Sequence, residues 1–533
     1  MSPQLRGETD RPDGVNAHER TASAAPGGVL ARRGGRFLLA VWLLIGLLAS
    51  AWSLSTPLFA SPDEPAHVVK SAAVVRGELT GGTVRQPGTY FEVITEVEVP
   101  AYYADSFDWT SCFMTDLSAT PECTQPFVAD DTATEPMTTW MGRYPPLYYA
   151  IVGLPSLMVD GTAAVLGMRV VSAFLCAGLL ALGLTALRAT PWSRPLLAAG
   201  VLAITPTVLF FSGTVNSSGL EIAAGFATWC LLLPLAVTRG GPQTRQRLLL
   251  GAGAAVVLVN SRPGSALMAA LIGGCLLIVA TRDLWRSLLA GGAWRMPVAL
   301  AVLGGLVAAA WLFLVDPLAT LGGIPVPAYE SPGRVVADAF ARTPRYLAEQ
   351  LGVFGTLNLT AHPVLLRVLG GTLGLLVLAG LLLGRGTGRW LVLAVAVLAV
   401  FVPALAQIPD AADLGLIWQG RYSLPFAIGL PLVAMTALLA REPVRPVVAR
   451  LAPVLVAVSL LVHLGCLYWS LWRYAYGFGS APFGRAAEWQ PPGGVVLHVV
   501  VPAACALLLG LVLVLGTGAR SMTGPGEPQD ARG

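Results

Sequence analysis

The chain has 533 residues, of which 55% are hydrophobic and only 12% are charged, and its formal net charge is +4. Soluble domains carry about 25% charged residues, so this composition excludes a water-soluble globule and indicates a polytopic membrane protein. The net charge of +4 gives no support to nucleic-acid binding. The basic residues are almost all arginine, with Lys70 as the only lysine, which is typical of a GC-rich bacterial genome.

The chain begins with a polar segment, residues 1–36, that is rich in Arg, Gly, Pro and acidic residues and predicts a disordered tail. The apolar run that follows, residues 37–57, is long enough to cross a bilayer and too long for a cleaved signal peptide. Arg32, Arg33 and Arg36 precede this run. The positive-inside rule therefore places the tail in the cytoplasm and the far end of the run outside.

Apolar runs of spanning length recur along the chain and predict an all-α fold with about twelve transmembrane helices. They cover residues 37–57, 163–187, 195–213, 220–237, 247–260, 264–280, 297–315, 364–383, 390–408, 423–440, 451–470 and 495–516. Arginine-rich connectors alternate between them in a way that keeps both termini in the cytoplasm. The spans define one polytopic domain over residues 37–517, and residues 518–533 are predicted to form a second disordered cytoplasmic tail.

Two long connectors, residues 57–162 and 316–363, are predicted to face the outside. Within the first, the apolar stretch 145–159 is too short for a comfortable crossing and predicts a helix lying on the outer leaflet. Cys112 and Cys123 lie in the same connector, where an oxidising compartment favours a disulfide between them over two free thiols.

An acidic pair directly follows the first span. Asp63 and Glu64 lie between Pro62 and Pro65, and His67 follows two residues later. Two neighbouring carboxylates near an apolar boundary repel each other and are partly desolvated, which raises the pKa of one and suits it to general base catalysis. An ordinary acidic helix cap is the alternative interpretation.

Several arginines are predicted on the outer side, where the positive-inside rule disfavours them. Among them, Arg143, Arg262 and Arg421 are candidates to bind a lipid phosphate, because a guanidinium recognises phosphate through a bidentate fork. Solvated loop charges and partners of outer carboxylates are the alternatives. Glu221 lies near an outer helix boundary, and an ionisable residue there is a functional candidate.

Four short segments together resemble a known family. They are Pro62 to His67, Tyr144 to Tyr149, Asn216 to Glu221, and Gln419 to Pro425. With them, residues 37–440 resemble DUF2142, a family of bacterial membrane proteins that is itself similar to the GT-C superfamily of integral membrane glycosyltransferases. Those enzymes carry an acidic motif in the first extracytoplasmic loop and take sugars from polyprenyl-phosphate donors.

The resemblance implies a GT-C-like fold in the cell membrane with an extracytoplasmic active site. Asp63, with Glu64, would take the acidic-motif position and deprotonate the acceptor hydroxyl, and His67 would orient a carboxylate. The donor phosphate would be bound by Arg421, Arg143 and Arg262. The residues expected to line the substrate pocket are Tyr144, Tyr148, Asn216, Glu221, Gln419 and Tyr422.

The expected function is therefore glycosyl transfer from a polyprenyl-phosphate-linked sugar donor to an envelope glycan, lipid or protein acceptor. A transporter or flippase of lipid-linked sugar and a non-catalytic envelope assembly protein are the alternatives. Transporters favour a midplane binding site and internal repeats, and the two halves of this sequence show no repeat. Membrane lipids are the other expected partners, and a divalent cation such as Mg²⁺ or Mn²⁺ is left open because carboxylates alone do not specify one.

Overall fold

The structure is a computed structural model that describes residues 29, 32–87, 92–237, 243–317, 329–479 and 486–516. Most of the predicted tail over residues 1–36, and all of the one over 518–533, lies outside the described residues. Arg32 to Arg36, assigned to the first tail by sequence, belong instead to the first helix. Arginine side chains can extend toward water while their backbone stays helical, so the helix begins before its apolar run.

The helices are numbered in chain order. Those before residue 238 are α1 (Arg32–Ser55), α2 (Glu64–Val75), α3 (Ser111–Met114), α4 (Leu147–Val152), α5 (Gly161–Arg188), α6 (Ser193–Ala203), α7 (Pro206–Ser212) and α8 (Ser217–Val237). Those after residue 242 are α9 (Thr244–Val259), α10 (Ser265–Val279), α11 (Arg282–Gly291), α12 (Arg295–Val315), α13 (Pro332–Ala341), α14 (Thr343–Gly352), α15 (Pro363–Leu383), α16 (Gly386–Leu405), α17 (Ala411–Leu414), α18 (Gly420–Ala427), α19 (Leu430–Leu439), α20 (Arg445–Tyr476) and α21 (Leu497–Leu515).

Among the described residues, nine helical stretches are long and apolar enough to cross a membrane, and eleven if two bent helix pairs each count as one span. The bent pairs are α6 with α7, at 66°, and α10 with α11, at 101°. The predicted span without a counterpart among these eleven is residues 247–260. It corresponds to α9, whose 16 residues are fewer than the roughly 20 that a crossing needs. The fold is thus a mostly helical membrane protein with nine to eleven candidate spans, where the sequence predicted about twelve.

The centre and the periphery of the bundle differ sharply in burial. The apolar window of α8 and that of the α18–α19 stretch are each 83% buried, against 6% for α12. Gly225 allows α8 and α18 to meet backbone to backbone, because a Cβ there would lie 2.3 Å from the carbonyl oxygen of Pro425. α18 is therefore packed closely against α8 at Pro425, within the most buried part of the bundle.

The connector between α1 and α5 contains a small antiparallel sheet, which an all-α reading misses. Its strands are β1 (Gly82–Arg85), β2 (Val93–Pro100) and β3 (Thr134–Thr139), in the order β1-β2-β3. β-branched residues alternate with polar ones in β2, and Val97 and Val99 are buried. Such alternation is typical of a half-buried strand, so a local signal was present. A two-stranded pair, β4 (Val353–Phe354) and β5 (Leu359–Thr360), follows α14.

The stretch predicted as an interfacial helix forms α4 and a following 3-10 turn, Leu154–Leu157. One side of it is buried through Tyr148 and Tyr149. Its other side exposes large apolar side chains, with Met158 at 83%. This two-sided character is typical of a short helix resting in the outer part of a membrane.

Contacts place both long connectors at the same end of the bundle. The Asn358 amide donates to the Met114 carbonyl at 2.6 Å, and the Arg143 guanidinium donates to the Val315 carbonyl at 3.3 Å. The described parts of the two segments that were predicted to lie outside therefore share one face. Residues 318–328 of the second segment lie outside the described residues.

Cys112 and Cys123 are joined in a disulfide across a separation of 11 residues. The closed segment rests on the end of α20, where the buried Arg473 guanidinium donates to the carbonyls of Phe113 and Ala119 at 2.8 and 2.7 Å. The disulfide and this arginine together fix the segment against the bundle.

Replacing both cysteines by serine is expected to lower the free energy of unfolding by about 2–4 kcal/mol, because the cross-link restricts the unfolded segment. Hydrogen exchange of residues 111–124 should accelerate, and the apparent melting temperature should fall. Reductant should reproduce both effects in the wild-type protein and change nothing further in the double variant. Equal exchange in oxidised wild type and the double variant would contradict the expectation.

Candidate functional site

Asp63 is the residue around which the candidate site is built. It precedes α2 in a left-handed backbone conformation, with φ at 61°, which aspartate tolerates better than most residues. Its Oδ2 accepts a hydrogen bond from Arg421 Nη2 at 2.7 Å, and its Oδ1 accepts one from Trp140 Nε1 at 3.4 Å. The Asp63 side chain is 28% exposed to solvent. The carboxylate is therefore fixed in position and still reachable.

Opposing effects set the charge of Asp63. Burial raises the pKa of its carboxyl group, but the Arg421 guanidinium, with a smaller contribution from the Trp140 hydrogen bond, brings this pKa below its usual value. The sequence argument expected a raised pKa from repulsion by Glu64, and here the structure differs. Asp63 is therefore ionised at neutral pH.

Glu64 is bound in a different place. Its Oε1 accepts hydrogen bonds from Arg169 Nε at 2.7 Å and from the Val215 backbone N–H at 3.0 Å. The side chains of this ion pair are both 0% exposed. Arg169 also donates to the carbonyls of Thr56 and Pro57 at the end of α1. This geometry gives Glu64 a structural partner of its own and leaves Asp63 as the reachable carboxylate of the two.

Arg421 is a buried cation with unused hydrogen-bonding capacity. It lies at the start of α18, its side chain is 2% exposed, and its Cζ lies 5.4 Å from the centroid of the Phe211 ring. Its Nε and Nη1 have no hydrogen-bond partner among the residues that the structure describes. Buried donors without partners are costly, and a ligand that accepts from them recovers that cost.

Arg262 forms a second ion pair close by. Its Nη1 lies 3.2 Å from Glu221 Oε2, and Ser265 Oγ donates to Glu221 Oε1 at 2.8 Å. The two arginines share one aromatic ring: the Cζ atoms of Arg262 and Arg421 lie 4.5 and 5.2 Å from the centroid of Tyr422. The ring holds both guanidinium groups within one small volume.

Tyr144 joins the same cluster, because the Cζ of Arg262 lies 5.9 Å from the centroid of its ring. Burial raises the pKa of the Tyr144 hydroxyl, so this side chain is a neutral hydrogen-bonding group at physiological pH.

Tyr148 and Asn216 form hydrogen bonds next to the turn that carries Asp63. The Asn216 backbone N–H donates to Tyr148 Oη at 2.8 Å, and Tyr148 Oη also lies 2.9 Å from Ser172 Oγ. The Asn216 side-chain amide donates to the carbonyl of Pro62 at 2.8 Å. These bonds hold the turn that carries Asp63. They indicate that Tyr148 and Asn216 position Asp63, and do not themselves indicate contact with a substrate.

His67 and Gln419 are two further residues that the sequence assigned to the site. His67 Nδ1 makes a 2.8 Å hydrogen bond with the Tyr149 hydroxyl, so the structure gives the ring a phenol as its direct partner where a carboxylate was expected. Burial lowers the pKa of His67 to about 3, and the ring is neutral at physiological pH. The side-chain oxygen of Gln419 is buried and has no partner among the described residues.

Arg143 is not brought into the cluster. Its guanidinium donates to the carbonyl of Asp316 at 3.2 Å and to Thr83 Oγ at 3.0 Å. The next residue, Tyr144, faces Arg262. Adjacent residues in a turn commonly point in different directions, so the predicted phosphate set reduces to Arg421 and Arg262 in this geometry.

The donor set does not suit a divalent cation. Within the described part of the chain, no group of three His, Cys, Asp or Glu side chains comes close enough to hold a metal ion. At the site itself Asp63 is already paired with Arg421, and Glu64 is paired with Arg169. Mg²⁺ and Mn²⁺ favour several oxygen ligands, which this cluster does not supply.

Two contributors to the site were not found by sequence reasoning. Trp140 donates to Asp63, and Phe211 packs beside the Arg421 guanidinium. Trp140 lies only four residues before Tyr144, so its proximity to the aromatic motif was the available signal. Phe211 lies within an ordinary apolar run and carried none.

The fold and the site together define a polytopic membrane protein with a charged, aromatic-lined site between the segment after its first span and the start of α18. The chain belongs to DUF2142, a family described as predicted membrane proteins, whose model matches residues 45–430. Asp63 and Arg421, the two poles of the site, both lie within the match. No curated protein and no solved structure matches the chain.

Proposed function

We propose that this protein is a glycosyltransferase of the cell envelope that moves a sugar from a polyprenyl-phosphate donor to a hydroxyl-bearing envelope acceptor. The observation that supports this most is the Asp63–Arg421 pair. It joins a partly exposed carboxylate, at 28%, to a buried guanidinium, at 2%, whose Nε and Nη1 have no hydrogen-bond partner in the described part of the chain. A base and an anion-binding group at hydrogen-bonding distance are what transfer from a phosphate leaving group requires.

In the reaction, the acceptor hydroxyl gives its proton to the Asp63 carboxylate, and the acceptor oxygen forms a bond to the anomeric carbon of the sugar. The bond from that carbon to the phosphate oxygen breaks, and its electron pair leaves with the polyprenyl phosphate. The departing phosphate gains one negative charge. Arg421 and Arg262 stabilise that charge as it develops, and protonated Asp63 returns its proton to water.

The same arginine can couple donor binding to base strength. Before the donor arrives, Arg421 holds the pKa of Asp63 below its usual value. A phosphate that accepts from Arg421 Nε and Nη1 draws part of the guanidinium charge away from Asp63 and adds a negative charge beside it. Both changes raise the pKa of Asp63, so the carboxylate becomes a better base once the donor is bound.

The predicted topology places this chemistry on the outer side of the membrane. Arg32, Arg33 and Arg36 precede the first span, and Asp63 follows it. The predicted interfacial position of α4, whose Tyr148 and Tyr149 are hydrogen-bonded to Asn216 and His67, would bring the site to headgroup depth, where a lipid-linked phosphate lies. A polyprenyl phosphate would reach Arg421 from the bilayer, and the acceptor would come from the aqueous side.

The proposal is tested with purified protein in liposomes that contain a panel of radiolabelled polyprenyl-phosphate sugars and an envelope extract as acceptor. Label should pass to the acceptor, and polyprenyl phosphate should be released in equal amount. Nucleotide sugars supplied in place of the lipid donors should give no transfer. A flippase would instead move the labelled lipid across the bilayer without acceptor and release no polyprenyl phosphate, an outcome that would overturn the proposal.

Arg421→Lys is expected to lower transfer about 10- to 100-fold, because lysine keeps the charge but loses Nε and Nη1, the two guanidinium nitrogens without a partner among the described residues. The matched control is Arg143→Lys, which makes the same change at an arginine that lies outside the cluster. Equal losses in the two variants, measured as kcat/KM for the donor, would remove Arg421 from the proposed role.

A further inference from the structure

Glu349 is a buried carboxylate outside the predicted site. It lies on α14, in the second long connector, and its side chain is 3% exposed. Its Oε1 accepts from Arg345 Nε at 2.7 Å, and its Oε2 accepts from the Gly420 backbone N–H at 2.6 Å. Gly420 is the first residue of α18 and directly precedes Arg421. The carboxylate thus binds the backbone beside the proposed phosphate-binding cation.

The contact at Gly420 is close. A Cβ on Gly420 would lie 2.3 Å from the Tyr346 carbonyl oxygen and 2.7 Å from Glu349 Cβ, so a larger residue would separate α14 from the start of α18. A carboxylate at a helix N-terminus binds a free N–H group and is stabilised by the positive end of the helix dipole. Only glycine lets Glu349 reach this N–H.

The support for Glu349 is itself tied into the core. Thr207 Oγ donates to the Glu349 carbonyl at 2.9 Å, and Thr205 Oγ donates to the Gln350 carbonyl at 2.6 Å. Both threonines lie at the start of α7, at 4% exposure or less. A continuous series of hydrogen bonds therefore runs from α7 in the bundle core through α14 to the backbone N–H that precedes Arg421.

We propose that Glu349 is a positioning residue that fixes Arg421 against Asp63, and that it acts through the N–H of Gly420. The inference rests on the proposed function only in its expected effect on sugar transfer. The geometric claim, that Glu349 sets the Asp63–Arg421 contact, stands on the hydrogen bonds alone. The second long connector would in this way determine how the anion-binding group at the start of α18 is presented to Asp63 of the first connector.

The test is a double-mutant cycle on the Asp63–Arg421 pair, made from Asp63→Asn, Arg421→Gln and the combined variant. The cycle is measured by the apparent melting temperature in detergent, once in the wild-type background and once in Glu349→Ala. The two single shifts should be non-additive in the wild type, because the residues are in contact. That non-additivity should fall by more than half in Glu349→Ala. A merely structural role would lower all melting temperatures and leave the coupling intact.

Two conservative variants of Glu349 distinguish the effect of side-chain length from the effect of charge. Glu349→Gln keeps an acceptor oxygen at the right distance and should retain most of the coupling. Glu349→Asp keeps the charge but is one methylene too short, and it should lose more. Asp338→Ala, on the neighbouring helix α13, removes a partly exposed carboxylate paired with Arg334 and should leave the coupling unchanged. If Glu349→Ala does not fold, the order of the Gln and Asp variants decides the question.

In the transfer assay, Glu349→Ala should raise the KM for the lipid-linked donor about 10-fold, equivalent to losing one charge-assisted hydrogen bond. If the wild-type protein transfers no sugar, the proposed function fails, while the melting cycle still decides the role of Glu349. If transfer occurs and neither the coupling nor the KM responds to Glu349→Ala, the positioning claim is wrong and the proposed function is unaffected.

Discussion

Asp63→Asn is expected to reduce sugar transfer about 10²- to 10⁴-fold, the range that a positioned general base contributes. The amide cannot accept the acceptor's proton, but it has nearly the same shape as the carboxylate. Its oxygen can still accept from Arg421 Nη2, which lies 2.7 Å from Oδ2 in the wild type. The loss should therefore fall on kcat more than on donor binding, as measured by initial rates over a series of donor concentrations.

The backbone conformation at Asp63 tolerates asparagine better than other substitutions, so Asp63→Asn changes the side-chain chemistry without straining the turn. Asparagine, like aspartate, is found in the left-handed region more often than other residues with a side chain, so the φ of 61° is retained. Alanine would remove the carboxylate and strain the turn together. Asp316 supplies a matched control, because it has a φ of 48° and is exposed at the end of α12. Asp316→Asn should leave transfer unchanged.

Two results would count against Asp63 as the base. One is Asp63→Asn protein that keeps its wild-type rate at saturating acceptor. The other is a loss of rate in Asp63→Asn that comes with an equal loss in Asp316→Asn, since that would indicate a general effect of the exchange. Circular dichroism and size-exclusion chromatography of both variants establish that each is folded when the rates are compared.

The spans were largely predictable because an apolar run of about 20 residues has few alternatives in a chain this rich in leucine, valine and alanine. The apolar composition of a run does not show whether its helix is straight, bent or interrupted. α6 and α7 bend by 66° beside Pro206, and α9 ends after 16 residues. A proline that starts a helix and a short apolar segment both fit a straight span by composition alone.

Some of the residues that the sequence assigned to the site do lie together in the structure. Arg262, Glu221, Tyr144 and Tyr422 do come together, although they lie far apart in sequence. The assignment of Glu64 beside Asp63 followed from adjacency, whereas its partner, Arg169, lies 105 residues away and can be identified only in three dimensions. Arg143 shows the converse, because it adjoins Tyr144 and still points elsewhere.

Glu349 was hardest to foresee. With Arg345 it forms an i,i+4 pair, a spacing that is typical of an exposed surface salt bridge of small energetic weight. Its burial depends on Gly420, in a segment 71 residues further along the chain. No local pattern distinguishes such a residue from the charged pair Arg334–Asp338 on the preceding helix.

Arg169→Met is expected to cost about 3–5 kcal/mol of unfolding free energy, because it leaves the Glu64 carboxylate buried without its cation. Glu64 and Arg169 are both 0% exposed, and the Val215 N–H, at 3.0 Å from Glu64 Oε1, does not replace the lost charge. The measurement is denaturant or thermal unfolding in detergent, followed by tryptophan fluorescence. Arg334→Met, in an exposed pair, is the matched control and should change the unfolding midpoint little.

The double variant Glu64→Leu with Arg169→Met should be more stable than either single variant, because removing both members of a buried pair leaves no unpaired charge. Glu64→Gln then separates the two possible roles of this carboxylate. A structural Glu64 predicts a loss of stability with transfer retained by the molecules that remain folded. Glu64→Gln protein that unfolds at the wild-type midpoint but transfers no sugar would instead make Glu64 a second catalytic carboxylate, and the interpretation of its pairing with Arg169 would be wrong.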